Sequence, residues 1–323
     1  MDLIYTNAQR VDLGVLQAYT LDLSFGADNN ENDFEVILGK SEPALDDGAF
    51  IYIDGTEYGG IIGGMKSNST DEIRTNIGRT WHGVLNSKVI EPDPGADYFT
   101  ISGDANECLA VIIDRLGLSA LFTAKKELSG IVVKSYKFAR YVKGYDGLRA
   151  MLASAGAKLK MVFASASVRI YAEPIVDYTD TPIDSDDAFL RLERYGTKVN
   201  HLICLGSGEL AQRQVIHLYV DQFGRIGNTQ YHTGLSEVTD VYEYSNAQDI
   251  EELRTGGIAR MNELRNNDKV EVLADNNVSV EYDIGDIIGG TDTYSGNTAK
   301  ATITQKIVRI DNGTVSFDYK TGR

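Results

Sequence analysis

The sequence predicts a chain of the α+β class that is mainly β: two small antiparallel β-barrels with an α/β insert between them. Three observations carry this. Near the C-terminus apolar and polar residues alternate with period two, as half-buried strands require, and the first hundred residues carry short runs rich in apolar residues, Tyr and Thr. Asp54-Gly55 and Asn312-Gly313 stand between apolar runs, where both turn positions must tolerate positive φ. The middle of the chain switches to apolar spacings of three and four, the period of a helix with one face in the core.

The first unit spans residues 1–97. Val15 to Phe25 and Phe34 to Leu38 read as strands. Phe50–Ile53 leads through Asp54-Gly55 into a returning strand from Tyr58 to Lys66. Its paired glycines, Gly59-Gly60 and Gly63-Gly64, mark bulges or tight bends of the kind a closing barrel needs. A further strand is expected over Arg79–Leu85, and Glu91-Pro92-Asp93-Pro94-Gly95 is a loop that closes the unit.

The insert spans residues 98–183. Asp104 caps a helix that turns Cys108, Leu109, Ile112, Ile113 and Leu116 inward and stops at Gly117. A second helix from about Tyr145 to Ala155 carries Leu148, Met151, Leu152 and Ala155 on one face and stops at Gly156. Strands follow at Leu159–Phe163 and Val168–Ala172, and Pro174 to Pro182 reads as a linker.

The last unit spans residues 184–323. Strands are expected at Leu190–Arg194, Val199–Leu205 and Val215–Val220. Ser245-Asn246-Ala247-Gln248 fits a capping box. The helix behind it carries Ile250, Leu253, Gly257, Met261 and Leu264 on one stripe, with Gly257 marking a close contact. Val270–Leu273, Val278–Tyr282 and Ile284–Ile288 supply further strands. Ala299, Ala301 and Ile303 alternate with polar residues, as do Val315, Phe317 and Tyr319, and Asp311-Asn312-Gly313 joins the two runs in a hairpin.

Charge and composition narrow the function. The net charge is −16, and no basic run exceeds Lys125-Lys126, so tight nucleic-acid binding is not expected. Cys108 and Cys204 lie in apolar runs without a CxxC partner and read as buried free thiols. Met1–Tyr5 has neither the charged nor the long apolar region of a signal peptide, and no stretch approaches the ~18 apolar residues of a membrane span.

The search for chemistry nominates no catalytic, metal or cofactor residue. The four histidines, His82, His201, His217 and His232, lack a metal-helix spacing. His82 and His217 fall in expected strands, and His217 and His232 could meet across a turn. The acidic pairs Asp46-Asp47, Asp186-Asp187 and Glu251-Glu252 read as solvated surface or helix-dipole partners. Asp28-Asn29-Asn30-Glu31-Asn32-Asp33 begins like a calcium loop. It holds Asp33 where that loop needs Gly and Gly39 where it needs Glu, so a turn is expected, as at Asp275-Asn276-Asn277. Gly206-Ser207-Gly208-Glu209-Leu210-Ala211 follows an apolar run in the manner of a dinucleotide loop. No helix fits before the next β run at Val215, and the acidic residue due about twenty positions on is missing.

The same stretch, Gly206-x-Gly208-Glu209-x-x-x-Arg213, resembles a motif of tail-hub proteins of long-tailed bacteriophages. Trp81-His82-Gly83-Val84-Leu85 followed by Ile90-Glu91-Pro92 is similar to a segment of that family's first barrel. Asp283-Ile284-Gly285-Asp286-Ile287 and the strand leading to Asp311-Asn312-Gly313 resemble its C-terminal barrel. The resemblance implies structural-motif roles for Trp81, Gly83, Pro92, Gly206, Gly208, Glu209, Arg213, Gly285, Asp286 and Gly313. Glu209 and Arg213 would form a salt bridge steadying their loop.

It implies a homotrimer akin to the baseplate hub of contractile phages and to the first part of the type VI secretion spike protein. Such a ring joins the tail tube to the tip and passes the tape-measure protein and DNA. The implied partners are further copies of the chain and other tail proteins: distal tail or tube, tip or fibre, and tape measure. No membrane anchor and no cofactor are implied. The place is the virion tail, assembled in the bacterial cytoplasm. The role is structural and not enzymatic. A glycan-binding module of the tail tip would instead show exposed aromatics clustered on one face, and a cell-wall hydrolase would show convergent carboxylates or a metal.

Overall fold

The structure is a computed structural model of the 323-residue chain. It describes residues 1–27, 31–68, 70, 73–186, 189–193, 198–247, 249–265, 269–273, 281–311 and 313–321. Strands predominate, so the mainly β reading holds.

The β runs near the N-terminus become seven antiparallel strands. They are Leu3–Thr6, Asp12–Leu16, Tyr19–Gly26, Asp33–Gly39, Phe50–Tyr52, Gly59–Asn68 and Ile73–Thr80. The expected bulge occurs where the register shifts between Ile62 and Gly64. Gly60 and Gly78 lie under Phe34, where an added Cβ would come within 2.7 and 2.4 Å of its ring. Leu21, Leu23, Phe34, Val36 and Ile62 form the buried face.

These strands do not close into a barrel, and neither do those at the C-terminus. Among the described residues every sheet is open, and both sets belong to one sheet of 13 strands. The reason is the 15-residue strand Asn297–Asp311. At about 3.3 Å per residue it is roughly 50 Å long, too long for one small cylinder. Its second half, from Gln305, pairs with Tyr19–Gly26, and Val308 and Ile310 enter the N-terminal core. Its first half pairs with Ile287–Asp292. There Ala299, Ala301 and Ile303 pack with Val270, Val272, Ile288 and Tyr319 in a core of their own. Thr314–Thr321, Lys269–Leu273 and Phe189–Glu193 continue that side. Asp311 faces Thr314 across the expected hairpin, with Gly313 at φ +84; Asn312 lies outside the described residues.

Among the described residues four α-helices accompany the strands: α1 (Trp81–Asn86), α2 (Ala105–Arg115), α3 (Gly144–Ser154) and α4 (Ile250–Arg265). The helix α1 replaces the strand expected over Arg79–Leu85; the strand ends at Thr80. Thr80 Oγ1 accepts from Gly83 N at 3.3 Å as an N-cap. Trp81 to Leu85 are all buried, so no polar face announces the helical period. In α2, Asp104 is the cap and the five expected residues are buried. Gly117 and Gly156, at φ +66 and +72, stand after α2 and α3 as expected. The two helices pack with a three-stranded sheet: Phe122–Ala124, Ser167–Pro174 and Ala157–Ala164.

The start of α4 differs from the expected capping box. Asp249 Oδ1 accepts from Glu252 N at 2.8 Å and takes the cap, because a carboxylate one residue before the helix reaches its third N–H. Gln248 lies outside the described residues. Leu253, Gly257 and Met261 are buried against the four-stranded sheet holding His201–Leu205, Val215–Val220, Ile226–Gly227 and Thr239–Glu243. Ile250 is largely exposed. The strand expected over Ile284–Ile288 starts only at Ile287, since Gly285 at φ +101 turns the chain before it. Residues 274–280, with Asp275-Asn276-Asn277 and most of the expected Val278–Tyr282 strand, lie outside the described residues, as do Asp28 to Asn30, Asp187 and Arg194. Cys108 and Cys204 are buried and free. Among the described residues no helix is long and apolar enough to cross a membrane.

Candidate functional site

The strand Ala157–Ala164 is where the other parts of the chain meet. Period-two alternation puts Lys158 and Lys160 on the face away from Ala157, Met161 and Phe163, which a sequence reading assigns to water. The turn Asp283–Asp286 covers that face. Lys158 Nζ lies 2.7 Å from Asp283 and 2.7 Å from Asp286, and Lys160 Nζ lies 2.6 Å from Asp283. Asp286 is fully buried and also accepts from Val176 N and Asp283 N. The sharp turn at Gly285 makes this possible: a Cβ there would meet Lys158 Cβ at 3.5 Å, on a backbone of φ +101.

The same network reaches the N-terminal strands. Lys306, on the long strand, is 1% exposed. Its Nζ lies 2.7 Å from Glu57 and also pairs with Glu281. Tyr58 Oη donates to the same Glu281 carboxylate. Glu57 stands 3.5 Å from His82 Nε2 on α1. His82 is wedged between Phe25 and Tyr145, with ring centroids 4.8 and 5.0 Å away. One buried junction therefore draws on residues from 57–82, 158–160 and 281–306.

Burial opposes charge on Lys306, yet Glu57, Tyr58 and Glu281 hold its pKa well above the ordinary lysine value. Burial likewise opposes the charge on Glu57, and Lys306, His82 and Lys160 pull it below the usual carboxylate range. The lysines of the other half are held high by Asp283 and its neighbours against their own desolvation. Asp283 is held low mainly by Lys160 and Lys158 against its burial. His82 goes the other way: burial pushes it down to about 4, with Glu57 opposing, so the ring is neutral near pH 7. Fixed cations facing fixed anions hold no proton ready to transfer. The arrangement fastens elements together, and it has the hydrogen bonds that make a buried ion network tolerable.

Two of the segments singled out in the sequence meet on this strand. Trp81 stacks on Phe163 at 5.1 Å and sits edge-on to Phe50 at 5.4 Å. Gly83 lets α1 touch the chain just before the strand Asp33–Gly39, since a Cβ there would come 2.1 Å from the Asn32 carbonyl oxygen. Gly285 and Asp286 approach from the other side. Pro92 lies half-buried in the loop after α1, and Gly313 in the C-terminal hairpin.

The Gly206–Arg213 segment is not part of the junction. It is an exposed turn off the four-stranded sheet, with the single helical turn Leu210–Gln212. The expected Glu209–Arg213 pair does not form. Arg213 Nη1 lies 3.5 Å from Glu243, and its Nε donates to Gly206 O at 3.1 Å, because that carbonyl is nearer the guanidinium than the outward Glu209. The histidines also pair differently. His217 meets His201, its Nδ1 2.8 Å from His201 Nε2, and His201 Nδ1 lies 2.6 Å from Glu237. Cross-strand register sets this, His217 facing Ile203 two rungs from Tyr219–His201 and so on the same face, while His232 lies against Tyr231. Among the described residues no group of three or more His, Cys, Asp or Glu is placed to hold a metal.

Sequence reasoning passed over Glu57, Lys158, Lys160, Glu281 and Lys306, and it quoted Asp283 in a motif without giving it a role. One clue was present. Along the long strand the buried positions change phase, from 299, 301 and 303 to 306, 308 and 310. The pairing with Thr314–Thr321 shifts register between Ile303 and Gln305. That shift puts Lys306 in line with Val308 and Ile310.

No protein-family model matches the chain, and no curated protein matches it. Solved structures do. A tail protein from Neisseria meningitidis MC58 is similar at 11% identity and TM-score 0.55, over 100% of this chain and 96% of that one. Prophage tail protein gp18 from Listeria monocytogenes EGD-e is similar at 10% identity and TM-score 0.59, over 99% and 94%. The 43 kDa tail protein of prophage MuSo2 from Shewanella oneidensis is similar at 9% identity and TM-score 0.60, over 100% and 98%. Shared element order and path over nearly the full length of three such proteins identify the architecture: the chain has the fold of phage and prophage tail proteins.

Proposed function

We propose that this chain is a structural subunit of a phage or prophage tail hub or baseplate. It assembles with further copies, as a trimer, into a ring that joins the tail tube to the tip and lines the passage for tape-measure protein and DNA. The observation that carries this is the likeness to three tail proteins over 94% or more of each. The buried junction supports it, since a part that transmits load gains from elements locked to one another. The charge of −16 supports a passage that lets DNA phosphates slide without adhering. The role is non-catalytic, in the virion tail, after assembly in the host cytoplasm.

Sedimentation velocity and negative-stain imaging of the full chain test the reading. The expected result is a toroid of three protomers, and a chain that stays monomeric at submillimolar concentration overturns the ring.

One observation favours a second reading, a glycan-binding module of the tail tip. Phe223 and Tyr231 are 71% and 52% exposed. Beside them Gln222, His232 and Arg265 line a cavity of about 470 Å³. Binding on a glycan array that is lost in Tyr231→Ala would favour it.

A further inference from the structure

The Gly206–Arg213 turn does nothing for the buried junction, yet its geometry is demanding. Leu210 is 94% exposed and sits at φ +50, a left-handed conformation that a leucine adopts only when its surroundings impose it. Gly208 before it is at φ +97, and a Cβ there would come 2.7 Å from the Gln212 carbonyl oxygen. The base is pinned. Arg213 holds the Gly206 carbonyl and Glu243, and Gln214 N and Gly206 N bond back across the turn at 2.8 Å each. The apex is left in solvent: a leucine beside the exposed carboxylate of Glu209. A strained backbone that displays an apolar side chain next to a charge has the form of a docking knob.

A matching recess lies elsewhere on the same chain. On the outer face of the three-stranded insert sheet, Ala124, Val162 and Tyr171 line a groove of about 500 Å³. Lys125, Lys126 and Arg169 stand on its rim, with Glu127 as the one acid. Lys125 Nζ lies 4.2 Å over the Tyr171 ring. Residues 98–183 hold eleven Lys and Arg against eight Asp and Glu, while the whole chain holds 31 against 47. The groove is thus a basic place on an otherwise acidic molecule, and a second copy is a partner of complementary sign.

We propose that Glu209 and Leu210 of one copy seat in the Lys125–Lys126–Arg169 groove of the next. Leu210 covers Val162 and Tyr171, and Glu209 meets the basic rim. This rests on the self-assembling reading above and names its contact surface. Knob and groove are different patches of one chain, so the contact is head-to-tail, the kind that generates a ring when the rotation closes.

The test is sedimentation velocity of the full chain across a concentration and salt series. Leu210→Gly relieves the left-handed strain while deleting the knob. Its melting temperature is expected to hold or rise while self-association weakens about tenfold or more, the loss expected for a central apolar anchor. Lys126→Glu with Arg169→Glu is expected to weaken it similarly, and adding Glu209→Lys to that pair to restore it in part. If the wild-type chain assembles and these variants assemble equally well, this contact is wrong and the ring stands. If the wild-type chain does not assemble, the self-assembling reading fails and takes the contact with it.

Discussion

Lys306 occupies a position where strand periodicity would place a Val or Leu, and it is held there by carboxylates from two other parts of the chain. Removing it strips the buried Glu57 of its strongest partner, leaving only the neutral His82 ring and the more distant Lys160. Lys306→Met is therefore expected to cost about 3–5 kcal/mol in urea unfolding. Adding Glu57→Gln should recover much of that loss, because the stranded charge is gone. His82 makes a separate prediction. Its folded pKa of about 4 lies below the ordinary value near 6.5. Only the unfolded chain takes up this proton between those values, so stability falls as pH drops from about 6.5 to 4, by about 3 kcal/mol at most. Glu57 and Asp283, held low in the fold, begin to lose their contribution as pH falls past their ordinary values of 4.5 and 3.8 and go on losing it through their lowered ones, so their loss follows on from that of His82. Melting temperatures of wild type and His82→Gln across this range should differ in slope, with the variant flatter. Little of this junction was legible in the sequence. Lys158 and Lys160 alternate as solvent-facing lysines do, and only the long-range approach of Asp283 and Asp286 shows that their face is covered.

Among elements, legibility followed how each is solvated. The helix α2 was readable because it has a wet face, a capping Asp104 and a stop at Gly117. The helix α1 was not, because Trp81–Leu85 are buried all round and Trp, Val and Leu suit a strand equally well. Gly257 on α4 is a case where local pattern and packing agree. A Cβ there would lie 2.5 Å from Cys204 Sγ and 2.9 Å from Leu218 Cδ1. Gly257→Ala is expected to destabilise by about 1–3 kcal/mol through overpacking, against a gain of about 1 kcal/mol in helix propensity. Chemical denaturation measures the net loss, and pairing the change with Cys204→Ala should relieve most of it. The thiol itself is pushed up to about 11 by burial, which keeps it protonated and inert near pH 7.

For the whole molecule, the order of segments was readable but their joining was not. Two barrels were expected because each end of the chain carries its own set of short β runs and a hairpin turn, Asp54-Gly55 and Asn312-Gly313. Which strands share a ladder depends on register between residues almost 300 positions apart, such as Ile310 with Leu21. A fragment of residues 1–97 lacks Val308 and Ile310 from its core and leaves Tyr19–Gly26 paired on one side only, with Asp33–Gly39. It is expected to lack a cooperative melt by circular dichroism, whereas the full chain melts cooperatively; an independent melt of the fragment would contradict the shared core. The long strand Asn297–Asp311 also has a mechanical meaning. Its rungs lie across its length, so tension along it loads the whole ladder in shear, while a sideways pull opens one rung at a time. A body splinted this way is stiff along one axis and yields more readily along another.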